Sequence, residues 1–266
     1  MEDGAVSKDY EWFKSEVYKL SSIDLSAYKE RQMKRRIDSL ISKNRFHGYE
    51  SYLTALRDDK EKYEEFITYL TINVTEFFRN TSQWDVLEKE VFPYLFNQFS
   101  KNISIWSAAC STGDEPYSLA MVLSRTHPLT QINILATDID KQILAKAQAG
   151  IYNDKSVVGV PKDLKDKYFV AEGRTYKISD QIKKTIRFKQ HNMLKDPYPK
   201  NLDLIVCRNV LIYFTEEAKD DIYKNFNRSL KKNGILFVGS TEQIIQPQNY
   251  GFESIRSFFY KKVAEV

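Results

Sequence analysis

The chain has 266 residues, 42% hydrophobic, enough for about two packed domains without disulfide staples; its two cysteines, Cys110 and Cys207, lie in apolar runs that argue against a disulfide framework. The three histidines are scattered without ligand spacing, so no metal site is expected, and a formal charge of +4 is by itself too small to imply a polyanionic partner. The opening MEDGAVSKDY lacks a basic and an apolar leader region and no run approaches the ~18 apolar residues of a membrane span, so a cytoplasmic location without membrane insertion is expected.

From Tyr10 to Ile72, apolar residues recur at spacings of three and four: Trp12, Phe13, Val17 and Leu20; Met33, Ile37, Leu40 and Ile41; Tyr49, Tyr52, Leu53 and Leu56; Tyr63, Phe66, Ile67 and Leu70. These stripes predict amphipathic helices forming a small all-helical domain over residues 1–72. The second helix crowds Lys29, Arg31, Lys34, Arg35 and Arg36 into its first turns, with Glu30 and Asp38 opposing them. Such a face is either merely solvated or a docking surface for an acidic partner.

Thr71 to Asn80, TINVTEFFRN, carries more aromatic and polar residues than a linker needs. Phe77 and Phe78 read as core anchors, and Asn73, Thr75 and Arg79, on either side of them in the same stretch, suit one wall of a ligand cleft. Another helix follows with Trp84, Leu87, Val91, Tyr94 and Leu95. The chain is then organised around ISIWSAACSTGDEPYS, Ile103 to Ser118. An apolar strand at Ile103, Ile105 and Trp106 breaks at the turn Ser111, Thr112 and Gly113 and passes into a helix over Pro116 to Ser124. Gly113 permits a tight bend, and Pro116 suits a first helical turn. Asp114 and Glu115 stand where a phosphate-binding turn would offer amides and a cation, so a ligand carrying amine, hydroxyl or positive charge fits better than a nucleotide phosphate.

A second apolar strand, Ile132 to Asp138, ends on an acid about 25 residues after Gly113, where nucleotide-type folds hold ribose hydroxyls. Asp138 and Asp140 can divide two tasks, ligand binding and capping of the next helix. From Gly150 to about Gln190 the strand–helix rhythm is interrupted; RTYKIS, Arg174 to Ser179, and TIRFKQ, Thr185 to Gln190, read as short strands of a β insertion. The sheet resumes with Leu202 to Cys207 and stops at Arg208 and Asn209. A helix over Thr215 to Leu230, a Lys-Asn-Gly turn, a strand over Ile235 to Gly239 and two strand-like runs in FESIRSFFYKKV complete the pattern.

Taken together and in order, TINVTEFFRN, WSAACSTGDEPYS, ATDID, CRNVLIYF and GILFVGSTE closely resemble the CheR family, the S-adenosylmethionine-dependent glutamate O-methyltransferases of chemotaxis receptors. The resemblance implies an α/β fold of the class I methyltransferase type: a Rossmann-like sheet of seven strands, the last antiparallel, with a small all-α N-terminal domain and a small antiparallel β insertion. It divides the chain into a substrate-docking helical domain, 1–72, a linker contributing to the cleft, 73–84, and the cofactor domain, 85–266, with the insertion at about 150–190.

Carried over by position, the family's contacts with S-adenosyl-L-methionine fall on Asn73, Thr75, Arg79, Glu115, Asp138, Asn192, Met193, Asn209 and Val210. Arg79 and Tyr213 are the residues that the resemblance places at the reacting centre. Asp114 is a mild departure from the family pattern, so Glu115 is the candidate ligand. Some relatives grip a receptor tail peptide on the insertion, which here is short. The implied partners are the cytoplasmic helices of methyl-accepting chemotaxis receptors, with the enzyme acting as a monomer, without nucleic acid, and releasing S-adenosyl-L-homocysteine.

A glutamate side chain, with a reference pKa of about 4.3, is already ionised at neutral pH, so in-line methyl transfer to it requires no general base. Receptor helices with clustered glutamates present a negative stripe, and Arg31, Lys34 and Arg35 are the predicted docking face for it. A nucleic-acid methyltransferase would also suit the basic helix, but the Asn/Asp-Pro-Pro-aromatic turn expected after the fourth strand is replaced by Arg208-Asn209-Val210; Asp196-Pro197-Tyr198-Pro199 precedes that strand and reads as an ordinary turn. A non-catalytic receptor-binding adaptor is the other alternative, and the intact set of Arg79, Glu115, Asp138 and Tyr213 argues against it. Replacing Asp138 by alanine is expected to weaken cofactor binding and leave the fold intact, because a residue at the sheet rim lies outside the core.

Overall fold

Four amphipathic helices account for most of the first of two units in the computed structural model, which describes residues 8–99 and 102–266. The first seven residues, read above for a leader, lie outside the described residues. Helix α1 (Tyr10–Ser21) starts at Asp9, whose side chain accepts the Trp12 N–H, and α2 (Glu30–Lys43) and α3 (Tyr49–Asp58) follow. Helix α4 (Lys60–Leu70) is capped by Asp59, which takes the N–H groups of Glu61 and Lys62. Such caps satisfy donors that a helix start leaves without partners.

The core of this unit is built from Phe13, Val17, Met33, Ile37, Leu40, Ile41, Tyr52, Leu53, Leu56, Phe66 and Leu70, all buried. Phe13 sits among rings, 6.4 Å from Tyr52 and 6.1 Å, edge-on, from Phe66. The apolar stripes read from spacing are therefore the buried faces, though Trp12, Leu20, Tyr49, Tyr63 and Ile67 stay partly exposed. Residues 213–219 group with residues 1–72. They are tied there by Lys29 N–H to the Tyr213 carbonyl, Thr215 N–H to the Ala27 carbonyl, and a Tyr28–Phe214 ring contact at 4.9 Å.

The second unit, residues 73–212 and 220–266, is organised by a seven-stranded sheet. After helices α5 (Thr81–Val86) and α6 (Phe92–Phe99), joined by a wide helical turn over Leu87–Val91, come β1 (Ile105–Ala108), α7 (Asp114–Leu123), β2 (Ile134–Asp138) and α8 (Lys141–Ala149). A small sheet is made by β3 (Ile151–Asn153), β4 (Phe169–Glu172) and β5 (Thr175–Ile178), with α9 (Lys162–Tyr168) before β4 and α10 (Asp180–Lys183) after β5. The main sheet continues with β6 (Ile186–Gln190), β7 (Leu202–Cys207), α11 (Glu216–Ser229), β8 (Leu230–Val238), β9 (Phe252–Arg256) and β10 (Phe259–Lys262).

Its order is β6-β2-β1-β7-β8-β10-β9, and β10 alone runs opposite to the other six strands. This mixed sheet, with a small all-α unit and a small antiparallel sheet, is the fold class expected from the sequence. Strand β1 lies between β2 and β7, so the chain turns to opposite sides of it, and the crevice at that switch point opens at the carboxyl ends of these strands. Ile105, Ile134, Leu204, Val206, Ile235, Phe237 and Phe259 of the sheet share one apolar core with Leu87, Val91 and Leu95.

Two expectations are corrected. Thr185 to Gln190 does not belong to the insertion: β6 is an edge of the main sheet, paired in parallel with β2 from Ile134↔Ile186 to Asp138↔Gln190. Alternation of apolar residues predicts a strand but not which strand it pairs with. The strand at Ile235 also begins earlier, at Leu230, which pairs with Leu202 before a register shift that the Lys-Asn-Gly turn absorbs. Phe77 and Phe78 are buried as expected; Phe77 meets Tyr152 and Phe169 of the small sheet edge-on at 4.8 and 5.4 Å.

Candidate active site

The turn after β1 is held in strained backbone. Ala109, Ser111 and Gly113 all have positive φ (59°, 49° and 89°), as do Phe78, Asn80 and Asn209, and left-handed non-glycine residues gathered in one region are a mark of functional sites. Gly113 is required twice over, because a Cβ there would also lie 3.0 Å from Ala147 Cβ and from a Tyr117 ring carbon. Helix α7, starting one residue beyond, is buried along its whole length, with Asp114 and Glu115 in its first turn.

Of the two acids at this rim, one takes the capping task that the sequence allowed for. Asp140 caps α8, its Oδ1 accepting Gln142 N–H at 2.8 Å and Ile143 N–H at 3.2 Å. Asp138, at the end of β2, is left to face the turn: Oδ2 accepts Ser111 N–H at 2.9 Å and Oδ1 accepts Asp140 N–H at 3.0 Å. Asn73 spans these parts, donating to Asp140 Oδ2 and accepting from the Ser111 hydroxyl, each at 3.4 Å. Burial pushes the Asp138 carboxyl up to about 6, although the backbone N–H groups pull the other way. Asp114 is likewise raised to about 6 by burial, against the Thr112 hydroxyl that it accepts. Asp138 is therefore not a surface acid: it is buried and holds the turn, so an alanine there would strip acceptors from two buried N–H groups and cost stability, contrary to expectation.

Glu115 is buried as well. It accepts the Ser107 hydroxyl at 2.8 Å and lies 3.5 Å from the Arg208 guanidinium. Burial raises its carboxyl and lowers Arg208, so desolvation outweighs their attraction in both partners. Arg208 also donates to the Arg79 carbonyl (2.7 Å), Asn80 Oδ1 (3.2 Å) and Gln83 Oε1 (2.9 Å), pinning the 79–83 segment to the end of β7. Arg79 itself is partly exposed and donates to the Val74 carbonyl at 3.1 Å; Thr75, between them, is partly exposed too.

Asn192 and Met193 follow β6 on the same rim, since His191 N–H donates to the Asp138 carbonyl. Their loop closes on itself: Asn192 accepts Leu194 N–H through Oδ1, Asp196 accepts Asn192 N–H, and the Tyr198 hydroxyl donates to the Met193 carbonyl. The turn of this loop falls at Met193 to Lys195, closed by Lys195 and Asp196 N–H on the Asn192 carbonyl; Asp196 to Pro199, read as a turn, is instead irregular chain leading toward β7. Asn209 and Val210 leave β7 partly exposed. Asn73, Ser111, Glu115, Asp138, Asn192, Met193, Asn209 and Val210 are accordingly brought to the carboxyl ends of β6, β2, β1 and β7. Tyr213 ends the short turn Leu211–Tyr213 and belongs to the segment grouped with the helical unit.

On α2, Arg31 and Arg35 are exposed, but Lys34 is engaged: its ammonium lies 2.9 Å from Asp38 and 5.8 and 5.9 Å from the rings of Tyr10 and Tyr49. Two further residues escaped notice in the sequence as parts of the site. One is Arg208, named only as the polar end of β7, whose position directly after six buried strand residues was the available signal. The other is Glu242, four residues past β8, whose only signal was its place at the end of the GILFVGSTE stretch.

An open sheet of this order, with desolvated carboxylates and strained turns at its switch point, defines a binding site of the S-adenosylmethionine-dependent methyltransferase class. Residues 73–259 match the family described as CheR methyltransferase, SAM binding domain, and residues 8–71 match CheR methyltransferase, all-alpha domain. The chain is 44% identical over 257 residues to a chemotaxis protein methyltransferase of Listeria monocytogenes, covering 97% of this chain and 98% of that one. It is 35% identical to one of Borreliella burgdorferi, covering 92% and 91%. The chain belongs to the CheR family of chemotaxis protein methyltransferases, enzymes that use S-adenosylmethionine.

The residues fit that cofactor. Each Asp138 oxygen takes one backbone N–H within 3.0 Å, and a carboxylate oxygen has room for a further donor such as a ribose hydroxyl. Acids, not a cation, begin α7, as suits an ammonium or sulfonium.

Proposed function

We propose that this enzyme methylates side-chain carboxylates of glutamates on the cytoplasmic helices of chemotaxis receptors. The observation that carries the reading is the match of both units, nearly end to end, to one family of chemotaxis methyltransferases. Asp138 would accept the ribose hydroxyls and Glu115 would face the positively charged end of the cofactor. Asn73, Thr75, Arg79, Asn192, Met193, Asn209 and Val210 complete its binding set.

S-adenosylmethionine, when bound, would supply an activated methyl group: an ionised carboxylate oxygen bonds to the methyl carbon in line as the carbon–sulfur bond breaks, and the thioether leaves as S-adenosylhomocysteine. The protein's task is alignment, which can lower the barrier by up to about 7–11 kcal/mol. Arg79 orients a carboxylate without neutralising the nucleophile, and Tyr213 packs beside the reacting centre. Arg31 and Arg35 of α2, with Lys34 in a lesser part because Asp38 engages it, dock the acidic receptor helix.

Receptor cytoplasmic domains incubated with enzyme and cofactor should carry methyl esters on particular glutamates by mass spectrometry. Label on nucleic acid in place of receptor, or on neither, would overturn the reading.

A further inference from the structure

Beside the assigned contacts lies a buried carboxylate to which no role has been attached. Glu242 is 5% exposed. Its Oε2 accepts Asn209 N–H at 2.6 Å and Gly239 N–H at 2.9 Å, and its Oε1 accepts Leu211 N–H at 2.6 Å and Ile212 N–H at 3.4 Å. One side chain thus replaces a ladder of secondary structure for the irregular segment after β7. It also joins that segment to the end of β8, where the Gly239 position leaves no room: a Cβ there would fall 2.5 Å from Glu242 Oε2 and 2.8 Å from Asn209 N. Asn209 is held with φ at 60°, a conformation an asparagine tolerates but does not choose without support.

We propose that Glu242 is a positioning residue that clamps the Asn209–Ile212 turn in its binding conformation, so that Asn209 and Val210 meet the cofactor pre-organised. The inference rests on the assignment of those two residues to the cofactor, but not on the receptor as substrate. Four N–H groups on one carboxylate leave little freedom for the turn, and ordering it before binding removes an entropy cost from the cofactor's affinity. Burial raises the Glu242 carboxyl while the N–H groups lower it, which agrees with a charge kept in the interior for the bonds it collects.

Glu242→Gln is the test, since it keeps volume and shape. Each Glu242 oxygen receives two N–H groups, so whichever way the amide sits its NH2 opposes two donors, and one side of the clamp opens. Calorimetry with S-adenosylhomocysteine on the folded variant should show a dissociation constant raised about tenfold or more, beyond whatever lowering of thermal melting the two donors left without an acceptor cause. The kcat for receptor methylation should fall while the receptor KM holds. A purely structural role would lower the melting temperature and leave affinity and kcat per folded enzyme unchanged, and an affinity within about twofold of wild type would overturn the proposal.

Should the variant fail to fold, hydrogen exchange on the ligand-free wild type decides. The amides of Asn209, Leu211 and Ile212 should be protected before any cofactor is added, and exchange at open-loop rates there would sink the clamp. Cofactor binding and exchange are read without a receptor. A wild type that binds S-adenosylhomocysteine but leaves receptors unmethylated would therefore fail the functional reading alone.

Discussion

Asp138→Asn separates ligand binding from folding in a way that alanine cannot. The carboxylate spans Ser111 N–H and Asp140 N–H at 2.9 and 3.0 Å, and the proposed ribose hydroxyls would add two bonds to a charged acceptor, each worth about 1.5–3 kcal/mol. Asparagine retains one carbonyl acceptor, which recovers about 1 kcal/mol, and turns an amide donor toward a backbone donor. The expected loss in cofactor binding is about 2–5 kcal/mol, or roughly 30- to 4000-fold in dissociation constant.

Folding should move the other way or stay level. With its carboxyl at about 6 instead of 3.8, the ionised Asp138 costs the ligand-free fold up to about 3 kcal/mol at neutral pH, and a neutral side chain relieves that cost. The sign of the pH dependence follows. A raised folded pKa means that the group's stabilising contribution is complete below the unfolded value and is lost as pH rises through about 6. Ligand-free wild type should therefore melt higher as pH falls from about 7 toward 5, with Asp114 adding to the slope. Affinity for S-adenosylhomocysteine should weaken over the same window, because the protonated acid is a poorer acceptor. Scanning fluorimetry and calorimetry at several pH values read both curves, and Asp138→Asn should flatten the affinity curve and leave only part of the melting slope. Affinity within about threefold of wild type, or a wild-type affinity flat from pH 5 to 8, would refute the ribose assignment.

Arg79→Lys and Tyr213→Phe should each lower turnover on receptor by about tenfold or more at saturating cofactor, if alignment is their task; unchanged single-turnover rates in both would remove them from the chemistry. Replacing Arg31 and Arg35 by alanine should raise the receptor KM and flatten its salt dependence, since exposed charges are screened over about 8–10 Å at physiological ionic strength. Cofactor affinity should hold, and methylation at the wild-type rate with dilute receptor would make α2 a solvated face. Gly113→Ala combines a strained φ with contacts at 3.0 Å, so it should destabilise the unit by about 1–3 kcal/mol; denaturant unfolding showing no shift would mean that the turn relaxes freely.

What the sequence determined by itself was whatever depends on neighbours along the chain. Spacings of three and four marked α1 to α4 and the faces they bury, the STGDEP run marked the turn into α7, and two acids two residues apart allowed Asp140 to cap while Asp138 faced the turn. The motifs carried the family, because their residues are contiguous. What only the tertiary structure decided involves partners distant in the chain. Pairing with β2 moved Thr185 to Gln190 into the main sheet, and backbone bonds to Ala27 and Lys29 placed residues 213–219 with the helical unit. Lys34 looked like its neighbours Arg31 and Arg35 until its contacts with Tyr10 and Tyr49 joined its pair with Asp38. Asp138 read as a rim acid because its burial comes from chain folded over it. Arg208 and Glu242 bond to residues as much as 129 and 33 positions away, and one-dimensional patterns hold no record of such bonds, since a buried charge is tolerated only where folding brings its partners to it.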